Sequence, residues 1–482
     1  MKIFKVLLAL SIMAMLVMAF AACNGNDNGG GTAPPPPPPA PTEAPPPPPP
    51  PPAPAAGNDP APVEPDPVDD GFVMPTTPIT LTFFWWGADG RNAAVQEAVD
   101  IFMDRYPNIT IETHPTTGAF ADIADAMQIR VAAGEEADIN QVNFNWAQAW
   151  GRGNNIFADL RQFDHIIDFS QFAPGDIAQM TFPNGEISGL PHGMNARMLV
   201  TNTAFLNEFG LDTMPTDFEE FIALAELISA NNAVHDTGSN RYVTVPFSNL
   251  DIDHYILTMF YSLTGRNPVV NAQWQYSVDE VYTVLDMLMR LDAAGGQPSF
   301  ENFDVVGNRN NQVWTSGRGL SSMQWINMPQ LDAQVVLEGA VEDDMVLFPF
   351  PQPGGNVVTS ARASLAHAIS RNANHPEVAA YFLNWFYTDP DAVRAVGIEL
   401  GVPGAVDAFA IITPELHPLQ AQGVELLGQI PVGEMGIYWE LATLRNPRYA
   451  IYDELRTGNI TVREAAERMV REQQDAIDAF HR

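Results

Sequence analysis

Proline limits the region of this chain that can fold. Two proline blocks, residues 34–39 and 45–52, are followed by Asp-Pro and Glu-Pro pairs. Pro78 is the last proline of this proline-rich segment. Proline lacks the backbone N–H donor and favours solvated polyproline II over packed structure. At ~3.1 Å per residue, such a segment would reach on the order of 140 Å. We therefore expect residues 23–78 to form a disordered Pro-rich tether, with a folded body from residue 79.

The segment before the tether has the pattern of an export signal. Lys2 and Lys5 precede an apolar run over residues 6–22, and Cys23 follows two alanines. A basic start, an apolar stretch and small residues at its end are typical of secretory signals. The region around Cys23 also resembles the lipobox of bacterial lipoproteins. We predict a signal peptide over residues 1–22 and a lipid on Cys23, which would anchor the protein to the outer face of the cytoplasmic membrane.

Three alternatives stay open for this N-terminal region. Residues 19–21 would also suit ordinary signal cleavage without a lipid. Residues 6–22 would also serve as an uncleaved anchor, although they are barely long enough to span a hydrocarbon core of about 30 Å. The proline blocks would also suit polyproline-binding modules. Both alternatives for residues 6–22 still place the body outside the cytoplasm.

The body is strongly acidic and contains no lysine. The formal net charge of the chain is −35, and Lys5 is its last lysine. This charge argues against nucleic acid and anionic membrane surfaces as partners. Without lysine the body has neither a P-loop nor Schiff-base chemistry, so any ATP-driven step would belong to another protein. A body whose basic side chains are arginines rather than lysines keeps their positive charge at alkaline pH, which fits an alkaline exterior. A biased nucleotide composition explains the missing lysines equally well.

The body begins with the pattern of a β-α-β unit. Residues 79–85 are rich in β-branched and aromatic side chains, residues 87–90 read as a loop, and apolar residues then recur at helical spacing up to Pro107. The loop would lie at the carboxyl end of a parallel strand, where open α/β sheets bind ligands. The body's ~400 residues exceed one ordinary core and imply two domains.

Signatures of catalysis and of metal binding are absent from the sequence. There is no H-E-x-x-H, no G-x-S-x-G and no second cysteine. These absences do not by themselves decide between an enzyme and a binding protein. Together with the family resemblance given below, they lead us to predict that the protein is not an enzyme and uses no cofactor and no metal. Residues 251–254, Asp-Ile-Asp-His, would suit a cation, although such acidic loops are usually only solvated. A carboxylate pair for glycoside cleavage is not excluded, because Asp and Glu are frequent.

The tryptophans are placed as in the wall of a sugar-binding cleft. Trp86, Trp146, Trp325 and Trp439 each lie near Gly, Asn or Asp and outside a clean helical stripe. Sugars present flat C–H faces and a rim of hydroxyls, so a sugar site needs aromatic rings together with polar side chains. A position in a core is an equally good interpretation of each tryptophan, because large aromatic side chains are usually well buried.

Several short motifs occur in the order and spacing of a known family. They are residues 81–87, 106–109, 132–139, 189–191 with 199–202, 317–323, 375–383 and 401–404. With these motifs the body resembles the extracellular solute-binding proteins of the carbohydrate-uptake class of ATP-binding-cassette transporters, which includes maltose-binding protein. The resemblance implies an α/β, two-lobed periplasmic-binding-protein-like type II fold with a hinge between the lobes.

The resemblance also implies how the chain is divided between the lobes. The N-terminal lobe would comprise residues 79–197 and 364–405, and the C-terminal lobe residues 198–363 and 406–482. The chain would cross between them near residues 195–201, near residues 358–365 and near residues 404–407.

By similarity, the ligand would lie between the lobes. The residues expected to contact it are Trp86, Asp89, Arg91, Asn145 and Trp146 on the first lobe, Asn195 at the first crossing, and Trp325, Trp439 and Asn249 on the second lobe.

The function implied is reversible capture of a neutral or acidic oligosaccharide by hinge closure. A monomeric binding protein would deliver the sugar to a membrane permease whose separate cytoplasmic ATPase supplies the energy. Two alternatives remain: the same fold binding a peptide, polyamine or organic anion, and a secreted glycan-active enzyme.

Overall fold

The computed structural model describes residues 72–481, except residues 119, 147–155, 183, 236–239, 299–310 and 337–343. The predicted signal, Cys23 and nearly all of the tether lie outside the described residues. Within the described part of the chain, no helix combines the length and the apolar character needed to cross a membrane.

The body is a mixed α/β structure. The strands are β1 (Ile79–Trp86), β2 (Ile109–Thr116), β3 (Ile139–Asn143), β4 (Leu190–Pro191), β5 (Met194–Asn202), β6 (Val269–Val270), β7 (Gln273–Trp274), β8 (Ser321–Trp325), β9 (Met345–Phe348), β10 (Thr359–Ala363), β11 (Leu365–Ile369) and β12 (Val432–Glu434). The helices are α1 (Asp89–Arg105), α2 (Phe120–Ala133), α3 (Pro174–Gln179), α4 (Thr203–Glu208), α5 (Phe218–His235), α6 (Asn249–Thr264), α7 (Val278–Ala293), α8 (Gln312–Thr315), α9 (Pro329–Ala333), α10 (Pro376–Thr388), α11 (Pro390–Val396), α12 (Val406–Ile412), α13 (Pro418–Gln429), α14 (Gly436–Trp439), α15 (Ala442–Arg456) and α16 (Val462–His481).

The first sheet has the strand order β2-β1-β3-β11-β4. β1 runs parallel to β2 and β3, whereas β11 is antiparallel to β3 and β4. The predicted β-α-β unit is confirmed as β1, α1 and β2. Its buried residues alternate at the start of β1 and are continuous from Phe83 to Trp86. In α1 they recur on one face, at Val95, Ala98, Val99 and Phe102. The loop after β1 therefore lies at the carboxyl end of a parallel strand.

The second sheet has the order β12-β10-β5-β8, with β9 pairing to β5. β5 is antiparallel to β10, β8 and β9. Apolar residues from opposite faces of β5 belong to separate clusters: Leu199 packs with α5, α6 and α7, whereas Met198 and Val200 pack with Ile326 and Leu347. Two sheets with their own cores give the two-lobed arrangement expected for a periplasmic-binding-protein-like fold.

The boundary expected at residue 406 lies at a helix that contacts both cores. Ala408 and Ile412 of α12 are buried in the core of the first sheet, together with residues of α10 and α11. Both side chains are apolar and one helical turn apart, so they share the face that packs there. Phe409 of the same helix packs against the cluster that contains Met198 and Val200 of the second sheet. The boundary at residue 406 and the third crossing near residues 404–407 stay predictions.

The two sheets exchange strands at a tight junction. The first crossing is at His192 and Gly193, between β4 and β5, and the second is at Ser364, between β10 and β11. The Ser364 N–H donates to the Gly193 carbonyl (2.7 Å), and the Gly404 N–H donates to the His192 carbonyl (2.8 Å). The first crossing thus precedes the predicted residues 195–201, whereas the second falls within the predicted 358–365.

We expect His192 at this junction to make the protein sensitive to acid. Its ring is 4 % exposed, and burial, with a smaller effect of Arg91, lowers its pKa to about 3. The unfolded chain has the ordinary value near 6.5, so unfolding takes up a proton between these two values. The stability that His192 contributes is complete above pH 6.5 and is lost as the pH falls towards 3. In His192→Leu, the unfolding temperature should fall less steeply between pH 7 and pH 4.

The control for this measurement is His165→Leu, because the His165 side chain is 43 % exposed. This variant should keep the acid dependence of the wild type. An unchanged slope in His192→Leu would contradict the prediction.

Candidate ligand-binding site

A pocket of about 550 Å³ opens at the carboxyl ends of β1 and β2. It is lined by Trp86, Gly87, Ala88, Asp89, Arg91, Thr117, Gly118 and Ile123. Three of the predicted contact residues, Trp86, Asp89 and Arg91, therefore share one opening at the edge of the sheet where α/β folds bind ligands.

Paired tryptophan rings stand beside this pocket. The ring centroids of Trp86 and Trp146 are 4.8 Å apart, with 36° between the planes. The backbone N–H of Trp86 donates to the side-chain oxygen of Gln141 on β3 (2.9 Å). This hydrogen bond fixes the end of β1 against the next strand. Trp86 and Trp146 are 6 % and 5 % exposed. The two predicted aromatic residues of the first lobe thus form one rigid unit.

Arg91 folds back over the loop that precedes α1. Its Nε donates to the Glu399 carbonyl (2.8 Å) and its Nη1 to the Trp86 carbonyl (3.4 Å). A Cβ on Gly87 would lie 2.6 Å from the Arg91 side chain, so glycine at position 87 permits this conformation. Burial lowers the pKa of Arg91, and the Glu399 carboxylate partly opposes that shift. Asp89 is exposed at the mouth of the pocket.

Four polar or aromatic side chains lie on one face of the second sheet. Arg362 on β10 is opposite Asn195 on β5, and Arg197 on β5 is opposite Trp325 on β8. Because side chains alternate along a strand, residues 195 and 197 project from the same face. We call Arg362, Asn195, Arg197 and Trp325 the arginine face.

Trp325 is the centre of the arginine face. The guanidinium carbon of Arg362 is 4.7 Å from its ring centroid, and that of Arg197 is 5.1 Å away. His254 of α6 approaches the ring edge-on, at 5.2 Å and 85°. Burial, followed by Arg197 and Arg362, lowers the pKa of His254 well below its ordinary value. His254 is therefore a neutral neighbour of the two cations.

Carboxylates pair with both arginines and connect the two sheets. Arg197 pairs with Asp251 at 2.5 Å, and Arg362 with Glu440 at 2.9 Å. The second oxygen of Glu440 accepts from the Asn143 side chain at the end of β3 (3.2 Å). The Arg362 guanidinium also lies 5.3 Å from the ring of Phe144, which follows β3. Arg362 and Glu440 thus bridge the edge of the first sheet to the arginine face.

Two polar residues expected at the site have structural partners next to it. Asn145 accepts from the Asn143 side chain (2.6 Å), beside the Glu440 bridge. The Asn195 Nδ2 donates to the Asn327 side-chain oxygen (2.9 Å), and Asn327 in turn approaches the Ile398 carbonyl (3.5 Å).

The structure places the other two second-lobe candidates away from this cluster. Asn249 begins α6 and donates to Asp453 of α15 (2.8 Å). Trp439 is 1 % exposed and stacks with Trp274 at 6.1 Å and 11°. The Arg448 guanidinium lies 3.9 Å from the Trp439 ring. This packing argues against the ligand-platform role expected of Trp439, because the ring belongs to the core of the second lobe.

The acidic segment at residues 251–254 is already engaged in protein contacts. Asp251 pairs with Arg197 and accepts from the backbone N–H groups of Phe247 and Ser248, at the start of α6. Asp253 pairs with Arg448. Among the described residues, no cluster of three potential metal ligands occurs. The alternative of a cation at this segment is therefore not supported.

The sequence reasoning did not identify five residues of this cluster: Asn143, Arg197, His254, Arg362 and Glu440. The sequence pattern around these residues gives little indication of a site, because each residue joins the cluster only through strand register or helix packing. The available clue was the spacing of Asn195 and Arg197 in the expected crossing at residues 195–201, since polar residues two apart in a strand share a face.

Comparisons with known proteins agree with this architecture. The family model for bacterial extracellular solute-binding protein matches residues 87–393. A periplasmic solute-binding protein from Pectobacterium atrosepticum has a TM-score of 0.75 and 20% identity, covering 84% of this chain and 100% of that chain.

Two further solved structures share the fold. An oligogalacturonide-binding protein from Yersinia enterocolitica, in complex with saturated digalacturonic acid, has a TM-score of 0.73 at 21% identity, covering 84% of this chain and 100% of that chain. Maltose-bound MalE3 from T. maritima has a TM-score of 0.66 at 17% identity, covering 82% and 99%. With the family model matched over most of the folded body, the chain belongs to the bacterial extracellular solute-binding proteins.

Proposed function

We propose that the protein is the extracytoplasmic binding component of an ABC sugar importer and captures an oligosaccharide between its two lobes. The observation that carries the proposal is the bridge at Arg362. Its guanidinium lies between Phe144, at the edge of the first sheet, and Trp325 of the second sheet. Aromatic rings and hydrogen-bonding groups from both lobes therefore border the same junction.

These groups suit a saccharide. The Trp86 and Trp146 rings and the Trp325 ring offer flat surfaces for C–H faces, each worth about 1 kcal/mol beyond the buried area. Amide and guanidinium groups of Asn195 and Arg91 would orient hydroxyls, and a buried polar group left unpaired costs about 1–3 kcal/mol. The rings would thus supply affinity, and the polar groups would select the sugar.

Binding and closure are coupled in this proposal. Each lobe supplies part of the contacts, so a ligand that touches both favours the closed state and shifts its population. The hinge would be the junction of His192, Gly193 and Ser364, where the chain passes between the sheets.

The proposal extends to partners and location. A closed, loaded protein would dock on a membrane permease, and a separate cytoplasmic ATPase would supply the energy. A lipid on Cys23 and the tether at residues 23–78 would hold the monomeric body close to that permease. The solved neighbours support a sugar as the ligand class, since one contains a digalacturonic acid and another maltose.

A thermal-shift screen against a glycan panel tests the proposal. A ligand at about one hundred times its dissociation constant stabilises the folded state by ~2.7 kcal/mol, which is a rise of several degrees in Tm. We expect such a rise with at least one oligosaccharide and about tenfold weaker binding of it in Trp86→Ala and in Trp325→Ala.

The control variant is Trp385→Phe, because Trp385 packs against Phe102 in the first core. It should lose stability and keep the ligand affinity of the wild type. A shift with a peptide or polyamine alone would contradict the proposal in favour of a non-sugar ligand, and turnover of a glycan would indicate an enzyme.

A further inference from the structure

The arginine face contains hydrogen-bond donors that the protein itself does not use. Arg197 is 6 % exposed, and its Nη2 pairs with Asp251 and contacts the Met323 carbonyl. Its Nε and Nη1 are buried and have no hydrogen-bond partner within the described residues. Buried guanidinium donors are normally satisfied. The unused edge of Arg197 therefore needs an acceptor that the described chain does not supply.

Two cations on one ring are unusual in a chain of this composition. The sequence has 58 acidic residues and 23 basic ones, yet Arg197 and Arg362 both lie within about 5 Å of the Trp325 ring. Each has a carboxylate partner, so the local charge is balanced before any ligand arrives. The guanidinium fork nevertheless has five N–H donors, and one carboxylate does not use all of them.

The acceptor that fits a guanidinium fork best is a carboxylate. Its two oxygens match two parallel N–H donors, and the charge shortens and strengthens both bonds. A neutral sugar offers only hydroxyls, which make weaker single bonds. A cationic ligand, such as a protonated polyamine, has no lone pair on its ammonium groups and so offers these N–H donors no acceptor.

Given the proposed sugar-binding function, on which this step rests, we propose that the ligand is an acidic oligosaccharide whose uronate carboxylate binds Arg197 and Arg362 on the arginine face. The sugar ring that bears this carboxylate stacks on Trp325. Asn195, opposite Arg362 in the sheet, is positioned beside the same group.

Titration calorimetry with three related sugars tests this assignment. The probes are trigalacturonate, its methyl ester and galactotriose, which differ chiefly in charge. With the full chain in mild detergent, we expect trigalacturonate to bind at least about tenfold more tightly than either neutral probe. That preference should shrink with added salt, because the attraction between charges is screened.

Two variants identify the arginine that causes the preference for trigalacturonate over the neutral probes. Arg197→Gln combined with Asp251→Asn removes the ion pair together, so no unpaired charge is left in the interior. This double variant should lose most of the preference for trigalacturonate over the methyl ester. Arg91→Gln, which changes the cation on the first lobe, should weaken the binding of all three sugars to a similar degree and so retain the preference.

Each other outcome is informative. Equal binding of all three sugars would overturn the acidic ligand and leave sugar capture standing. Loss of the preference in Arg91→Gln, but not in the double variant, would overturn the assignment to the arginine face. If the protein binds none of these three sugars and no member of the glycan panel, the proposed function itself is overturned.

Discussion

Replacing Arg448 with methionine is expected to lower the free energy of unfolding by about 3–5 kcal/mol. Arg448 is fully buried. Its Nε and Nη2 donate to the two oxygens of Asp253, both at 2.8 Å, and its Nη1 donates to Gln473 (2.9 Å). Removing the guanidinium leaves the Asp253 carboxylate buried without its counter-charge. The Tyr452 hydroxyl still donates to this carboxylate (2.8 Å), but one neutral hydrogen bond does not replace the lost positive charge.

Urea denaturation measures this loss, and two further variants interpret it. Arg290→Met breaks the ion pair between Arg290 and Glu219, whose side chains are 46% and 53% exposed, respectively. This variant should change the free energy of unfolding by at most about 1 kcal/mol. Arg448→Met combined with Asp253→Leu removes both charges and should recover part of the loss. Equal effects of Arg448→Met and Arg290→Met would contradict a special role for the buried pair.

Replacing Gly193 with alanine is expected to cost about 3 kcal/mol of stability or more. A Cβ at this position would lie 1.7 Å from the carbonyl oxygen of Val402 and 2.6 Å from the N of Gly404. Both are backbone atoms, so no side chain can rotate away. The segment at residues 402–404 would have to move away from the crossing at Gly193, and we expect the affinity for any cleft ligand to fall as well.

Gly428→Ala is the matched control for Gly193→Ala. Gly428 lies in α13, and a Cβ there would meet no atom within 4 Å. Alanine in a helix is favoured over glycine by roughly 1 kcal/mol, so this variant should be slightly stabilised. Denaturation curves of the two variants give the comparison. A stable Gly193→Ala protein with normal ligand binding would show that the junction is looser than its contacts indicate.

Local patterns predicted the start of the body well. The β-branched and aromatic residues from Ile79 onward and the helical spacing before Pro107 correctly predicted β1 and α1, because both patterns reflect burial against a neighbouring element.

Contacts between distant segments account for what was missed. Trp439 lies three residues after Gly436 and resembles a cleft residue, yet Trp274 of β7 stacks on it from far along the chain. The burial of Ala408 and Ile412 in the first core depends on α12 packing with α10 and α11. Arg197 and Arg362 share a ring only because the register of β10, β5 and β8 aligns them. None of these pairings leaves a periodic signal in one sequence.

The position of β11 between β3 and β4 in the first sheet affects the order in which the protein can fold. β11 separates β3 from β4, although about 170 residues of the second lobe lie between β4 and β11 in the sequence. Until residue 369 has been synthesised, β3 and β4 each expose an unpaired edge that is prone to join other chains. The nascent first lobe therefore stays incomplete during most of translation.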